Sequence, residues 1–248
     1  MGKIREMCAI WLGKNTASKK ELQSLLGLLL YVSKCIKVAR IFLSRMLDTL
    51  RAHHDKNMII LDTDFKKDIL WFYTFAQKFN GVAFFDKRPV KVMIELDASL
   101  TGIGGVCGNF VYTVPISLIQ HHEENSVFFS IVHWEMYNIL VALKLWGGAW
   151  KNQKVNIKCD NQAVVSILNT GKSSDKHLCT LARNILFLCA CNDIHLTVIH
   201  VLGKNNIIAD TLSRWFENGM APTILKKHLI NPCWVNVNSN DLHIDWSI

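Results

Sequence analysis

Proline is scarce in this chain, at four of 248 residues, and glycine adds only 13. That scarcity excludes a collagen-like or low-complexity chain. With 50% hydrophobic residues and eight tryptophans, a buried core is well supplied. Long apolar runs are also lacking. The best, Leu22–Ser33, holds 12 uncharged residues between Lys20-Glu21 and Lys34, short of the ~20 that a membrane span needs, so no membrane partner is expected. The uncharged stretch 98–122 is longer, but its four glycines and Pro115 read as turns and strands. The eight cysteines contain no CxxC pair, and the start at Met1 lacks a signal-type apolar core. The thiols are therefore expected to be reduced and the chain intracellular, in the cytoplasm, the nucleus or both.

What is present is basic charge, 28 Lys+Arg against 20 Asp+Glu, and it is unevenly placed. Residues 1–89 hold 16 basic and 8 acidic residues, a net of +8; residues 90–217 hold 10 and 10; the remainder holds 2 and 2. An anionic partner is implied for the first segment.

The same boundary divides the periodicities. Ser18-Lys19-Lys20-Glu21 reads as a capping box, followed by Leu22, Leu25, Leu26 and Leu29 at helical spacing. Residues 38–52 form a second amphipathic run, and a third starts near Asp62 or Asp64 and ends at Asn80-Gly81. Residues 1–89 are expected to be a basic, all-helical segment. From Val90 the pattern alternates: Val90, Val92, Ile94 and Leu96 against Lys91, Met93, Glu95 and Asp97. Further strands are expected near 103–113, 126–131, 155–159 and 196–200, with helices over 132–146, 161–169, 175–191 and 206–215. The expectation is an α/β domain over 90–217 with a mixed five-stranded sheet and flanking helices; residues 218–248 read as a tail or linker.

Four acidic residues in this region stand where a charge is awkward. Asp97 closes the first strand and Asp160 follows the strand 155–159. Glu135 shares a helix with Val132, Met136, Ile139, Leu143 and Trp146, so it lies on or beside the buried stripe; Asp210 follows Ile207 by three. Taken singly, each has a plain role as a cap, a turn residue or a solvated helix position. Taken together, side chains from strand ends and packed helices can converge, and four converging carboxylates need cations. Oxygen-only ligation favours two Mg²⁺ or Mn²⁺ ions, a pair able to hydrolyse a phosphodiester.

The spacing carries a family resemblance. Asp97-Ala98-Ser99 with Gly102, His133-Trp134-Glu135, Cys159-Asp160-Asn161, and the run from His200-Val201-Leu202-Gly203-Lys204 to Ala209-Asp210-Thr211-Leu212-Ser213-Arg214 resemble a ribonuclease H domain. The closing run is most similar to the reverse-transcriptase-linked ribonuclease H of retrotransposons. With Leu145-Trp146-Gly147-Gly148-Ala149-Trp150, it is closest to DIRS-type elements, which encode a tyrosine recombinase. The resemblance implies a ribonuclease H-like fold and metal-dependent cleavage of the RNA strand of an RNA–DNA hybrid, leaving 3′-hydroxyl and 5′-phosphate ends. Asp97, Glu135, Asp160 and Asp210 would hold two ions, and His200 would be a mobile proton-shuttling histidine. The other reading of His200 is a strand-end histidine satisfied by backbone. Ser99, Asn161, Lys34, Lys37 and Arg40 are expected nucleic-acid contacts. Residues 1–89 resemble the thumb or connection segment of such polymerases. No two aspartates are adjacent, so the chain lacks a Tyr-x-Asp-Asp palm, and an upstream palm in the same polyprotein is the implied partner. A catalytically inactive nucleic-acid-binding remnant is the alternative. An integrase-like relative fits less well, because such proteins use three carboxylates and lack the Leu-Ser-Arg ending.

Other signals read as structural. His53-His54 and His121-His122 lack finger spacing for zinc, Cys189 and Cys191 diverge on a helix, and Gly102-Ile103-Gly104-Gly105 reads as a turn between strands. The aromatics from Trp71 to Phe85 read as core packing.

Overall fold

The computed structural model describes residues 2–34, 39–53, 57–78, 89–123, 126, 129–217 and 221–245. Two compact units divide between Phe85 and Asp86. No helix among the described residues is long and apolar enough to cross a membrane.

The first unit contains α1 (Gly2–Gly13), β1 (Thr16–Ser18), α2 (Lys19–Ser33), α3 (Ala39–Ala52), β2 (Met58–Ile60) and α4 (Thr63–Lys78). The capping box at Ser18 forms as its sequence dictates. The Ser18 hydroxyl accepts from Glu21 N at 3.2 Å, and the Glu21 carboxylate accepts from Ser18 N at 2.8 Å. The stripe of Leu22, Leu25, Leu26 and Leu29 is buried, as are Phe65, Ile69, Phe72 and Ala76. Arg45 grips the fully buried Asp68 with two hydrogen bonds, 2.9 Å from Nε and 2.5 Å from Nη2. The segment is not all-helical. β1 and β2 pair antiparallel, Ala17 against Ile59, because the β-branched Ile59-Ile60 pair prefers an extended backbone and Ile59 is buried there.

The second unit is a mixed sheet of order β7-β6-β3-β4-β5-β8, six-stranded where five strands were expected. β3 (Val90–Ala98), β4 (Gly102–Cys107) and β5 (Phe110–Pro115) form an antiparallel meander. β6 (Lys154–Cys159) lies parallel to β3, and β7 (His195–His200) parallel to β6. The single strand expected over 103–113 is a hairpin. Gly108, at φ +60°, opens its two-residue turn, where glycine has no Cβ clash to overcome. The described residues of 126–131 form no strand; α5 (Ile116–His122) follows the hairpin instead. The sixth strand comes from the segment read as a tail: β8 (Cys233–Trp234) pairs parallel with β5. Two consecutive strand residues have no periodicity to detect.

Helices α6 (Ile131–Trp146), α7 (Gln162–Thr170), α8 (Lys176–Cys191), α9 (Ile207–Ser213), α10 (Ala221–His228) and α11 (Ser239–Leu242) complete the unit. Every residue of α6 from His133 to Leu143 is buried, so this helix is enclosed rather than amphipathic. It packs against β3, β4 and α8, and the C-terminal segment closes over it: Tyr137 donates its hydroxyl to the Leu242 carbonyl at 2.5 Å, and Leu242 and Ile244 are buried. α10 adds Leu225 to a cluster with Val106, Val111 and Leu212.

Gly102, Gly104 and Gly105 lie within β4 rather than in a turn. A Cβ on Gly104 would sit 2.4 Å from Leu212 Cβ and 2.6 Å from Ser213 N, so a bare strand is what lets α9 settle directly on the sheet. Gly104→Ala is therefore expected to lower stability by about 2–3 kcal/mol through overpacking. Gly27→Ala is the counterpart: Gly27 is an exposed position inside α2 with nothing near its missing Cβ, and the change should raise stability by about 0.5–1 kcal/mol. Denaturant titrations of the two variants check this; equal tolerance of both would contradict the α9–β4 packing.

Candidate active site

The topology explains why residues far apart in sequence meet. β3 and β6 are adjacent, parallel interior strands, so their C-terminal ends lie side by side. Asp97 stands near the end of β3, and Asp160 directly follows β6. α6, packed on β3 and β4, brings Glu135, and α9, packed on the same two strands, brings Asp210. All four line one open cleft of ≈ 560 Å³, together with Ser99, Leu100, Asn161, Arg214 and Glu217.

The strand end that carries Asp97 is held from several sides. Asn206 Nδ2 donates to the Leu96 carbonyl at 2.9 Å, and Asn138 Nδ2 donates to the carbonyls of Asp97 and Gly104, both at 2.8 Å. Tyr112 in turn fixes Asn138 by donating to its Oδ1 at 2.5 Å. The Ala98 amide donates to Glu135 Oε1 at 3.2 Å, tying strand to helix. Ser213 Oγ donates to Asp97 Oδ2 at 2.6 Å.

Asp97 and Glu135 are 4% and 3% exposed, which makes their charged forms expensive. Burial pushes the Asp97 carboxyl up to about 7 despite the Ser213 hydrogen bond, and the nearby Asp160 and Asp210 push it the same way. Burial likewise raises Glu135 to about 9, helped by Asp97 and Asp160. One donor atom from each of Glu135, Cys159 and Asp160 lies within 4.8 Å of the other two. The burial of Cys159 and the Glu135 carboxylate beside it hold the thiol well above its ordinary range, so without a metal it is a neutral neighbour of the two acids. Of the described residues that line the cleft, only Arg214 is cationic. Its Nε is 2.8 Å from Asp210 Oδ1, and its Nη1 is 3.4 Å from Glu217 Oε2. Four convergent carboxylates, two of them buried with raised pKa, are short of positive charge. Their oxygens suit Mg²⁺ or Mn²⁺, hard ions that take carboxylate ligands.

The remaining expected residues fall in different places. His200 ends β7 with Nε2 3.1 Å from the Asp160 carbonyl oxygen; it neighbours the cluster without lining the cleft. Ser99 lines the cleft but spends its hydroxyl on structure, donating to the Ser213 carbonyl at 2.9 Å and accepting from the amides of Thr101 and Gly102, each at 3.1 Å. Asn161 also lines the cleft, while its Oδ1 caps α7 through Ala163 N and Val164 N. Lys34 and Arg40 are exposed in the first unit, with Lys34 Nζ 5.9 Å from the Tyr31 ring centre; Lys37 lies outside the described residues.

Glu217 was not singled out from the sequence, and Ser213 and Arg214 were named there only within the closing run, without roles of their own. Arg214 follows Asp210 by four and Glu217 follows Arg214 by three, the helical spacing of ion pairs, which is the signal that could have marked them. Thr101 Oγ1 donates to Glu217 Oε1 at 2.8 Å, so a chain of contacts runs from the β3–β4 turn to Asp210.

Comparison with protein-family models gives no match, and comparison with curated proteins gives none either. The reading of this site rests on its own chemistry.

The raised pKa values set a pH dependence. The folded protein keeps protons on Asp97 and Glu135 that the unfolded chain releases near the ordinary carboxylate values of 3.8 and 4.5. Their contribution is therefore present below those values and is lost as pH rises through about 7 and about 9. Metal-free protein should show a melting temperature that falls between pH 5 and 9, and Asp97→Asn should flatten the fall. Mn²⁺ or Mg²⁺ should reverse it, with protons released on binding in calorimetry. A pH-independent melting temperature without metal would contradict the assignment.

Proposed function

We propose that residues 90–217 are a metal-dependent endoribonuclease that hydrolyses the RNA strand of an RNA–DNA hybrid, as the ribonuclease H part of a retroelement reverse transcriptase. One observation carries the reading: Asp97, Glu135, Asp160 and Asp210, spread over more than a hundred residues of sequence, line one cleft. The mixed α/β sheet and the closing run from His200 to Arg214 agree with it.

Asp97, Glu135, Asp160 and Asp210 would hold Mg²⁺ or Mn²⁺, two ions for four carboxylates. When bound, such ions supply Lewis-acid activation of water and neutralise charge on the departing 3′ oxygen. The chain itself supplies positioning. The hydrogen bonds on residues 96–98 fix Asp97 and Glu135 before substrate arrives, so little reorganisation is needed at the moment of reaction. Arg214, the one cation among the described residues lining the cleft, would meet a phosphate of the scissile strand. The open cleft suits a duplex read by its shape and its 2′-hydroxyls in a shallow minor groove. His200, beside the Asp160 backbone, would move a proton or help product leave. Residues 90–217 have no basic excess, so Lys34, Lys37, Arg40 and their neighbours in residues 1–89 would supply most of the grip on the polyanion. The partner supplying polymerase activity would be a palm encoded upstream.

Purified protein should cut a labelled hybrid in Mg²⁺ or Mn²⁺ and leave it intact in EDTA. Asp97→Asn should abolish cleavage while hybrid binding persists. Wild-type protein that binds the hybrid without cutting it would instead mark a binding remnant. The triple change Lys34→Gln, Lys37→Gln, Arg40→Gln should weaken hybrid binding and flatten the log–log salt slope by up to about three. An unchanged slope would place the grip elsewhere.

A further inference from the structure

A second group of metal-ligating side chains lies outside the carboxylate cleft: His133, Asp175 and His177. His133 is the third residue of α6, Asp175 caps the N-terminus of α8, and His177 is the second residue of that helix. One donor atom from each lies within 4.8 Å of the other two. His133 is buried, whereas Asp175 and His177 are partly exposed.

The surroundings of His133 resemble those of a ligand. Its Nε2 faces Asp175 Oδ1 at 3.3 Å, and its far nitrogen, Nδ1, is 2.8 Å from Ser130 Oγ. A metal-bound imidazole commonly hands its other ring proton to such a partner, which fixes the tautomer. Phe129 stacks on the ring at 5.1 Å with an interplanar angle of 18°, holding its plane and covering one face. The His133 and His177 rings lie 6.1 Å apart, centre to centre, near what two imidazoles on one ion require. Without an ion, the same atoms form a hydrogen-bonded cap: the Ser130 amide points at Nδ1 from 3.2 Å, and the Leu178 amide at Asp175 Oδ1 from 2.9 Å. Binding at Nε2 moves the ring proton to Nδ1, where Ser130 Oγ accepts it, and the weaker contact from the Ser130 amide is given up.

We propose that His133, Asp175 and His177 form a second metal site, distinct in chemistry from the carboxylate cluster, that takes a zinc-type divalent ion and ties the start of α6 to the start of α8. Two imidazoles and one carboxylate select Zn²⁺, Co²⁺ or Ni²⁺ over Mg²⁺, which prefers oxygen alone. Three protein ligands leave a fourth position for water. Glu135 follows His133 by two in the same helix, so the ion would pin the segment that delivers Glu135 to the cleft. The proposal does not depend on the ribonuclease reading.

The test uses the full-length, reduced, chelator-treated protein with Zn²⁺ and Co²⁺ as probes. Co²⁺ should give visible bands of a four-coordinate site without a thiolate charge-transfer band, and Zn²⁺ should raise the melting temperature. Asp97→Asn and Cys159→Ser should retain both effects. His177→Gln and Asp175→Asn should weaken Zn²⁺ binding by about tenfold or more and lose the thermal gain. Asn can still cap α8, so Asp175→Asn separates ligation from folding. Zinc binding equal in wild type and His177→Gln, no zinc binding in wild type, or a thiolate band that vanishes in Cys159→Ser would each overturn the proposal.

Discussion

The second unit is organised around a conflict between burial and charge at the end of β3. Asp97 and Glu135 are almost fully enclosed, yet the donors that reach them, one hydroxyl, one backbone amide and one thiol, do not offset the loss of water around two carboxylates. Their pKa values rise accordingly. A core that places acids in this way is stable with protons or with cations in place, and the proximity of Asp160 and Asp210 makes cations the better solution at neutral pH. Much of the nearby structure serves to keep that arrangement from relaxing: Asn206 and Asn138 hold the strand carbonyls, and Tyr112 holds Asn138.

The glycines of β4 belong to the same device. With no side chain at Gly104, α9 lies close enough to the sheet for Ser213 to reach Asp97 and for Asp210 to reach the cleft. Arg214 and Glu217 lie in the turn after α9, and the only cation among the described residues lining the cleft is held by two acids rather than left loose. Rigid inner acids and a half-exposed outer pair make a site that is preorganised on one side and adjustable on the other.

The two units differ in electrostatic character as much as in fold. The helical first segment of the sequence carries the whole basic excess, and the segment with the acidic cleft is balanced. A cleft that gathers carboxylates cannot also be strongly cationic without forming internal ion pairs, as Arg214 already does with Asp210. Under the proposed function, separating grip from chemistry on one chain would avoid that competition.

The periodic helices were legible in the sequence, as over 175–191, and so were the capping box at Ser18 and the alternation of β3. These signals are local, written within a few residues. The four carboxylates were marked as candidates too, Glu135 and Asp210 beside apolar helix faces and Asp97 and Asp160 at strand ends. The strand of two residues at Cys233–Trp234, the hairpin inside 103–113 and the helix at Ile116–His122 carried no such signal, since their conformation is set by what they pack against. The approach of His133 to His177 was hidden for the same reason. The sequence by itself determined which residues bear charge, which faces are apolar and where the basic segment ends. Only the tertiary structure decided which charges share a low-dielectric cleft, because convergence depends on the parallel pairing of β3 with β6 and on a helix seated against bare glycines, contacts between residues distant along the chain.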